Sequence, residues 1–310
     1  MREYDKYKVL PDPRRYSEIA QSDLTEYRNF LYTKFRKSLS RLKDASNLTP
    51  SDASQGKLNM RKLHQYQFND CIFQSKVQTE GNNATVIFLI DGSSSMNTGL
   101  TVSYAGRSIF LTYYDICKVI SSAFAKASHA VLKEDLKVEV FVKSEDGWYC
   151  GDKSYNGVAL TRVFSTSQGK ALSKADFDSV LKMKMDSPFG NGSWSTPELS
   201  VLPGLKKWVS HNVNTDNVFV INLTDGYPNT YIGENGEGVT SVTDENNAIF
   251  FRKFGKWFDM MSVFIHSCID DNHKKACQTM YGSDCIFSKP NDLPIEIPKL
   301  LNKYIKHKVL

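Results

Sequence analysis

Apolar positions along the chain follow two periods, one typical of helices and one typical of buried strands. Between residues 22 and 43, apolar side chains recur at steps of three and four, which predicts an amphipathic helix. The runs 86–90 and 217–223 are instead short, uninterrupted and rich in β-branched residues, so we interpret both as buried strands. Similar patterns predict strands at 71–77, 136–142, 261–266 and 285–288, a hairpin or irregular segment at 148–164, and helices at 104–132, from 173, from 196, and at 244–258, 271–280 and 293–304.

Strands that alternate with helices predict an α/β fold with a doubly wound, mostly parallel sheet and helices on both faces. The strand at 71–77 leads through a turn at 81–83 into the strand at 86–90, so we expect these two strands to pair as an antiparallel hairpin at the sheet edge. Composition also divides the chain into three parts. They are a basic N-terminal helical arm at 1–43, a linker with a short helix at 44–70, and the α/β domain at 71–310.

The composition supports a sizeable folded core. Of the 310 residues, 41% are hydrophobic and 12% aromatic, which excludes a globally disordered chain. The net charge is +5, and residues 1–43 account for all of it, since they hold eleven Lys and Arg against six Asp and Glu. A basic helix face of this kind is typically solvated, but it can also dock an acidic protein surface or nucleic acid.

Cysteine usage and the N-terminal residues bear on the compartment. The six cysteines are scattered and form no C-x-x-C pair, which favours a reduced, intracellular protein without structural zinc. The first residues are polar and contain no apolar signal region, and no apolar run approaches the ~20 residues that span a bilayer. We therefore expect a cytoplasmic protein with no membrane contact.

Polar side chains follow the two buried strands where each strand ends. Asp91 ends the first strand and is followed by Ser93 and Ser95, whereas the second strand leads into Asp225. Because the carboxyl ends of parallel strands meet at one edge of a sheet, we expect these oxygen atoms to lie together. Hard oxygen ligands favour Mg²⁺ or Mn²⁺ over zinc or copper. The sequence therefore predicts a site for one of these ions at this edge.

These strand-end residues resemble a known motif. Asp91, Ser93 and Ser95 have the D-x-S-x-S spacing of the metal-ion-dependent adhesion site (MIDAS) of the von Willebrand factor A (vWA) family. Asp225 resembles the acid of the later D-G step in that family, and the resemblance covers residues 83–304. It implies that the serines contact the ion directly or through water, while the acids mostly hold waters and neutralise charge. The open position on the ion then attracts a carboxylate from a protein partner.

The third hydroxyl of the motif has two candidates. The threonine of the family's G-G-T step resembles Thr196, and Ser193 is the alternative, because residues 192–194 read G-S-W here. Either residue would come from a loop that opens the helix predicted from 196. The choice between them stays open.

The segment ahead of the domain carries a second resemblance. Residues 56–63 and 71–74 are similar to the approach to the A domain in the vWA-bearing subunits of magnesium and cobalt chelatases. Those subunits, and related vWA proteins of bacteria and large phages, work with AAA+ ATPases of the MoxR type. The resemblance implies a non-catalytic adaptor for such an ATPase or its substrate. Its location would be the bacterial cytoplasm or, for a phage protein, the host cytoplasm or the virion.

Two other classes of protein remain open from the sequence. Asp91 after an apolar strand also suits a metal-dependent phosphohydrolase of the haloacid dehalogenase type, but those enzymes need a second acid where this chain has Ser93. The chain shows no P-loop, H-E-x-x-H or G-x-S-x-G motif either, so we expect no enzymatic activity. The basic stretches 22–43 and 299–308 suit a nucleic-acid-binding or virion-associated protein. No stacking motif or zinc finger accompanies them, so nucleic acid is not the expected partner.

Overall fold

The structure, a computed structural model, describes residues 8–10, 21–46, 50–53, 57–58, 73–76, 83–150, 153–167, 172–182, 198–215, 217–225, 231–232, 238–239, 258–265, 271, 274–275, 278, 285–289 and 292–308. The strands are β1 (Lys8–Leu10), β2 (Pro50–Ala53), β3 (Lys57–Leu58), β4 (Phe73–Lys76), β5 (Ala84–Asp91), β6 (Gly99–Tyr104), β7 (Arg107–Thr112), β8 (Leu136–Cys150), β9 (Lys153–Ser165), β10 (Asn217–Thr224), β11 (Tyr231–Ile232), β12 (Gly238–Val239), β13 (Asp259–Ile265) and β14 (Cys285–Ser288). The α-helices are α1 (Gln21–Ser46), α2 (Tyr113–Val131), α3 (Lys174–Lys182), α4 (Glu198–Asn212) and α5 (Leu293–Lys308).

The main sheet has seven strands in the order β1-β9-β8-β5-β10-β13-β14. Five of its six strand pairs are parallel, and the pair β8–β9 is antiparallel. Strand β5 lies in the middle, between β8 and β10, and every one of its residues is buried. The predicted α/β fold with a mostly parallel sheet is therefore confirmed. Of the two alternatives predicted for 148–164, a hairpin or an irregular segment, the structure has the hairpin.

Helices cover both faces of the main sheet, as the sequence predicts. On one face, Val86, Phe88 and Ile90 pack into a cluster that includes residues of α1, α2, α3 and α5. On the other face, Ile87 and Leu89 pack with residues of α4. Because successive side chains of a strand point to opposite faces, one apolar run of β5 fills both halves of the core.

Helix α1 packs into the fold through the apolar side that the sequence predicts. Its buried side chains recur at steps of three and four: Leu24, Tyr27, Leu31, Phe35 and Leu39. The Phe35 ring meets the Phe124 ring of α2 edge-on, with the centroids 5.5 Å apart. Arg28, on the same helix, is fully buried and forms an ion pair with Asp178 of α3. The helix of the N-terminal arm is thus confirmed, whereas the boundaries between the three predicted parts of the chain stay a prediction.

The strand predicted at 71–77 does not pair with β5. Its described part, β4, runs antiparallel to β2 and β3 in a separate three-stranded sheet. Strand β5 has parallel partners on both sides, β8 and β10, so neither of its edges is open to a hairpin partner. The predicted edge hairpin is therefore wrong. The short helix predicted within 44–70 falls mainly outside the described residues.

The helix predicted at 104–132 is divided in the structure. Strands β6 and β7 form an antiparallel hairpin that turns at Ala105 and Gly106, both with positive φ angles (48° and 77°). Helix α2 begins only after this hairpin, at a capping box. There the Thr112 hydroxyl accepts the Asp115 N–H at 3.1 Å, and the Asp115 carboxylate accepts the Thr112 N–H at 3.1 Å. The prediction is wrong at its N-terminal end, because this capping box marks the start of the helix.

The remaining helix predictions have different outcomes. Helix α3 begins with the predicted capping box, in which the Asp176 carboxylate accepts the Ser173 N–H at 2.7 Å. The helix predicted at 244–258 lies outside the described residues except for its last residue, and most of 271–280 does too. Within the described part of the chain, no helix is both long enough and apolar enough to cross a membrane.

Candidate metal-binding site

The loop after β5 is held closely against β8. The Gly92 N–H donates to the Lys143 carbonyl at 2.8 Å, and a Cβ atom at position 92 would lie 2.9 Å from that oxygen and 3.0 Å from Val142 Cγ1. A glycine is needed here because the two backbones approach so closely. Ser93 then leads into a 3₁₀ turn, Ser94–Asn97, which presents the second serine of the motif. The local backbone thus carries both serines to the end of the sheet.

Asp91 is fully buried and its carboxylate is fixed at both oxygens. Oδ1 accepts the N–H of Ser93 at 2.8 Å, and Oδ2 accepts the hydroxyl of Thr224 at 2.6 Å. Thr224 is the last residue of β10, so its hydrogen bond joins the ends of the two neighbouring strands. The carboxylate therefore lies between β5 and β10, in the place that the strand-end argument predicts.

The two serines and Asp225 form a row of oxygen atoms beside this carboxylate. Ser93 Oγ lies 3.0 Å from Ser95 Oγ, and Ser95 Oγ donates to Asp225 Oδ1 at 2.8 Å. The structure thus brings together Asp91, Ser93, Ser95 and Asp225, the four described residues of the predicted site. Thr196 and Ser193 lie outside the described residues, so the choice of the third hydroxyl stays a prediction.

Negative charge is concentrated at this edge. The pKa of Asp225 is raised to about 6, mainly by burial and then by the neighbouring charge of Asp91, while the hydrogen bond from Ser95 opposes this shift. Burial also raises the pKa of the Cys117 thiol on α2, and Asp225 and Asp91 add to that shift. A buried carboxylate that resists ionisation in this way would be stabilised by a nearby cation.

The donor atoms fit a hard divalent cation. In an octahedral Mg²⁺ site with Mg–O distances of ~2.1 Å, neighbouring ligand oxygens lie ~3 Å apart. The contact from Ser93 Oγ to Ser95 Oγ (3.0 Å) has this spacing, and Asp225 Oδ1 lies beside the pair, 2.8 Å from Ser95 Oγ. Among the described residues, no group of three or more His, Cys, Asp and Glu side chains gathers at one place. The candidate site is instead built from two carboxylates and two hydroxyls.

A buried lysine stands behind the site, and the sequence interpretation missed it. Lys143 of β8 is paired in register with Asp91, and its Nζ lies 3.9 Å from Asp91 Oδ2. The same ammonium donates to Asn222 Oδ1 at 2.9 Å, and Asn222 Nδ2 donates to Ser262 Oγ at 3.2 Å. All four of these residues are buried. The sequence signal that could have identified this residue is its position, directly after the apolar strand predicted at 136–142.

The β6–β7 hairpin rises from the same loop. At its base, the Tyr113 N–H donates to the Thr98 carbonyl at 3.2 Å, directly after the turn that holds the serines. Near its tip, Tyr104 lies against Tyr27 of α1, with the ring centroids 4.9 Å apart. Phe110, on the outward side of the hairpin, is 74% exposed. The hairpin therefore adds an exposed aromatic ring to the loop that carries the site.

Comparison with known proteins gives similarities of fold only. No protein-family model matches the chain, and no curated protein matches it by sequence. Among solved structures, the pilus adhesin SpaC from Lactobacillus rhamnosus GG, in an open conformation, aligns with 74% of this chain at 14% identity and a TM-score of 0.48. Proximal thread matrix protein 1 of the mussel byssus aligns with 73% at 13% identity (TM-score 0.43), and a von Willebrand factor type A protein from Catenulispora acidiphila aligns with 72% at 14% identity (TM-score 0.41). The chain spans 30%, 50% and 43% of the lengths of these three chains, respectively.

Proposed function

We propose that this chain is a vWA-type interaction module that binds Mg²⁺ or Mn²⁺ and uses the ion to hold a carboxylate of a protein partner. The observation that carries the proposal is the row Ser93 Oγ–Ser95 Oγ–Asp225 Oδ1, with Asp91 fixed behind it at the neighbouring strand end. The composition of this row follows the MIDAS motif, and the spacing of its two serine oxygens fits neighbouring ligands of an octahedral ion.

Each residue has a distinct part in this proposal. The hydroxyls of Ser93 and Ser95 would take two neighbouring positions on the ion, with Thr196 or Ser193 as the third protein ligand. Asp91 and Asp225 would accept hydrogen bonds from metal-bound waters and balance charge. The ion itself would supply an open position with positive charge, to which a partner's Asp or Glu can bind. A carboxylate is the expected ligand because such an ion attracts hard, anionic oxygen.

The finer part of the proposal concerns the partner. We infer a non-catalytic, chelatase-like adaptor that serves a MoxR-type AAA+ ATPase or its substrate in the cytoplasm. If the protein is phage-encoded, it would have the same role in the host cytoplasm or in the virion. The resemblance at 56–63 and 71–74 is the support for this partner. Affinity purification with Mg²⁺ should recover the ATPase, and purification with a chelator should not. Equal recovery in both conditions would contradict a metal-dependent contact.

The metal site itself is tested by titration with Mn²⁺, followed by the electron paramagnetic resonance (EPR) signal of free Mn²⁺. The wild type should bind one ion, and Asp91→Ala should lose this binding because the carboxylate that orders Ser93 and balances charge is gone. The matched control is Ser103→Ala with Ser108→Ala. These two serines also have their Oγ atoms in contact, at 3.1 Å, but they lie on the β6–β7 hairpin. Equal Mn²⁺ binding in wild type and Asp91→Ala would contradict the proposal.

A further inference from the structure

We propose that the Lys143 ammonium is a resident cation that balances Asp91 when the divalent ion is absent and weakens the binding of that ion until a partner carboxylate completes the site. This inference rests on the proposed function, since it concerns the same ion. It adds an explanation of why the ion and the partner would bind together rather than independently.

The first step is the position of the lysine. Asp91 and Lys143 are neighbours in the β5–β8 register, so their side chains emerge on the same face of the sheet. Both side chains are 0% exposed, and Nζ lies 3.9 Å from Asp91 Oδ2. An ammonium and a carboxylate excluded from water at this distance interact strongly, because little solvent screens them.

The second step is the way the ammonium is held in place. It donates to Asn222 Oδ1 at 2.9 Å, and the amide of Asn222 is oriented by its own donation to Ser262 Oγ at 3.2 Å. Since an ammonium has donors and no acceptor, this orientation of the amide is the one that Lys143 requires. These hydrogen bonds, which run from β8 through β10 to β13, therefore hold the ammonium in place and point an acceptor oxygen at its positive charge.

The third step is the balance of charge. Among the described residues of the site, Asp91 and Asp225 together carry −2 when ionised, and Lys143 reduces this to −1. The nearby ion pair of Lys118 and Asp115 on α2 (2.8 Å) is neutral in sum, so it leaves the balance unchanged. A divalent ion brings the total to +1, and one partner carboxylate then brings it to zero. Without Lys143, the two acids alone would neutralise the ion, and a partner carboxylate would add excess negative charge.

The test compares Mn²⁺ affinity in wild type and Lys143→Met, a neutral side chain of similar length, with and without acetate as the carboxylate. Without acetate, Lys143→Met should bind Mn²⁺ at least tenfold more tightly than the wild type. Acetate should tighten Mn²⁺ binding in the wild type and do so much less in the variant. The matched control is Lys118→Met, which removes another buried ammonium with a carboxylate partner and should leave Mn²⁺ affinity at the wild-type value.

Three results of this titration would overturn the inference. They are an unchanged or weaker Mn²⁺ affinity in Lys143→Met, an equal gain in Lys118→Met, and an undiminished effect of acetate in Lys143→Met. In these cases the wild type still binds Mn²⁺, so the proposed function survives. If neither the wild type nor Lys143→Met binds Mn²⁺, both the proposed function and this inference fail.

A second measurement covers the case in which Lys143→Met does not fold. In the metal-free protein, Asp91→Asn should lower the melting temperature, because it removes a buried charge partner of Lys143 and one of the two acceptor oxygens of the Asp91 carboxylate. The double variant Asp91→Asn with Lys143→Met should melt at a higher temperature than Asp91→Asn alone. If Lys143 does not balance Asp91, the double variant should melt no higher than Asp91→Asn alone, and that result would overturn the inference.

Discussion

Thr224 donates its hydroxyl to Asp91 at 2.6 Å and so joins the last residue of β10 to the last residue of β5. The β5–β10 pairing places the two halves of the candidate site, which are 134 positions apart in the sequence at Asp91 and Asp225, at one edge of the sheet, and this contact joins them. It also occupies one oxygen of the buried carboxylate. The geometry of the site thus depends on a residue outside the D-x-S-x-S motif.

Removal of that hydroxyl should weaken both the fold and the site. Thr224→Val keeps the shape of the side chain but leaves Asp91 Oδ2 without this donor, so we expect a loss of ~1–3 kcal/mol in the free energy of unfolding. Mn²⁺ affinity should fall as well, because the carboxylate loses its fixed orientation. Urea unfolding and Mn²⁺ titration measure the two effects.

Thr85→Val is the matched control for this change. Thr85 is buried on β5, and within the described part of the chain its hydroxyl has no hydrogen-bond partner. The control should therefore be neutral or slightly stabilising. An equal loss of stability in Thr85→Val and Thr224→Val would show that the contact with Asp91 has no special role.

The raised pKa of Asp225 predicts a pH dependence of the metal-free protein. The pKa is about 6 in the folded state, against 3.8 for an ordinary aspartate, so the folded state binds the proton more strongly than the unfolded state. The free energy of unfolding should therefore fall as the pH rises through the interval between these two values. Unfolding curves at a series of pH values should show this decline in the wild type and not in Asp225→Asn. A wild-type decline that persists unchanged in Asp225→Asn would assign it to another group.

The close approach at Gly92 predicts a strong effect of a single methyl group. Gly92→Ala would place a Cβ atom 2.9 Å from the Lys143 carbonyl oxygen, and a backbone neighbour cannot rotate away. We expect a loss of ~1–3 kcal/mol in stability together with weaker Mn²⁺ binding. Gly99→Ala is the control, since its Cβ would meet the exposed ring of Phe110, which can move. Equal effects of the two substitutions on Mn²⁺ binding would contradict this account of the loop.

Helix α1 should contribute to the stability of the whole fold. The Phe35 ring lies edge-on to Phe124, which in turn lies edge-on to Phe88 of β5 at 5.7 Å, so one row of aromatic rings joins α1 to the central strand. Phe35→Ala should cost ~3–5 kcal/mol in the free energy of unfolding. Lys37→Ala, at an exposed position of the same helix, should change it by less than ~0.5 kcal/mol. A small effect of Phe35→Ala on the free energy of unfolding would mean that α1 is an arm that contributes little to the stability of the fold.

The fold and most of the candidate site follow from local sequence signals. The apolar run before Asp91 and the run before Asp225 mark buried strands, and parallel strands end at the same sheet edge. This rule is sufficient to bring Asp91, Ser93, Ser95 and Asp225 together. The choice between Thr196 and Ser193 stays a prediction.

Contacts between strands distant in the sequence could not be predicted in the same way. The position of Lys143 matters because β8 pairs with β5, and neither strand carries a local signal of that register. The prediction of an antiparallel edge hairpin is wrong for the same reason, since the pattern at 71–77 predicts a strand but does not indicate which strand it pairs with. The start of α2 is different: the capping box of Thr112 and Asp115 is readable in the sequence and would have corrected the helix boundary.

We expect an ion at Ser93 and Ser95, with Asp225 beside it, to accept a carboxylate from outside the chain. Electron–nuclear double resonance on the Mn²⁺-loaded protein with ¹³C-carboxylate-labelled acetate measures this contact at the ion itself. We expect a ¹³C coupling to bound Mn²⁺ in the wild type and in the Ser103→Ala, Ser108→Ala control, and none in Ser93→Ala, Ser95→Ala. Bound Mn²⁺ without ¹³C coupling in the wild type, or coupling that survives in Ser93→Ala, Ser95→Ala, would contradict a carboxylate-binding ion at this site.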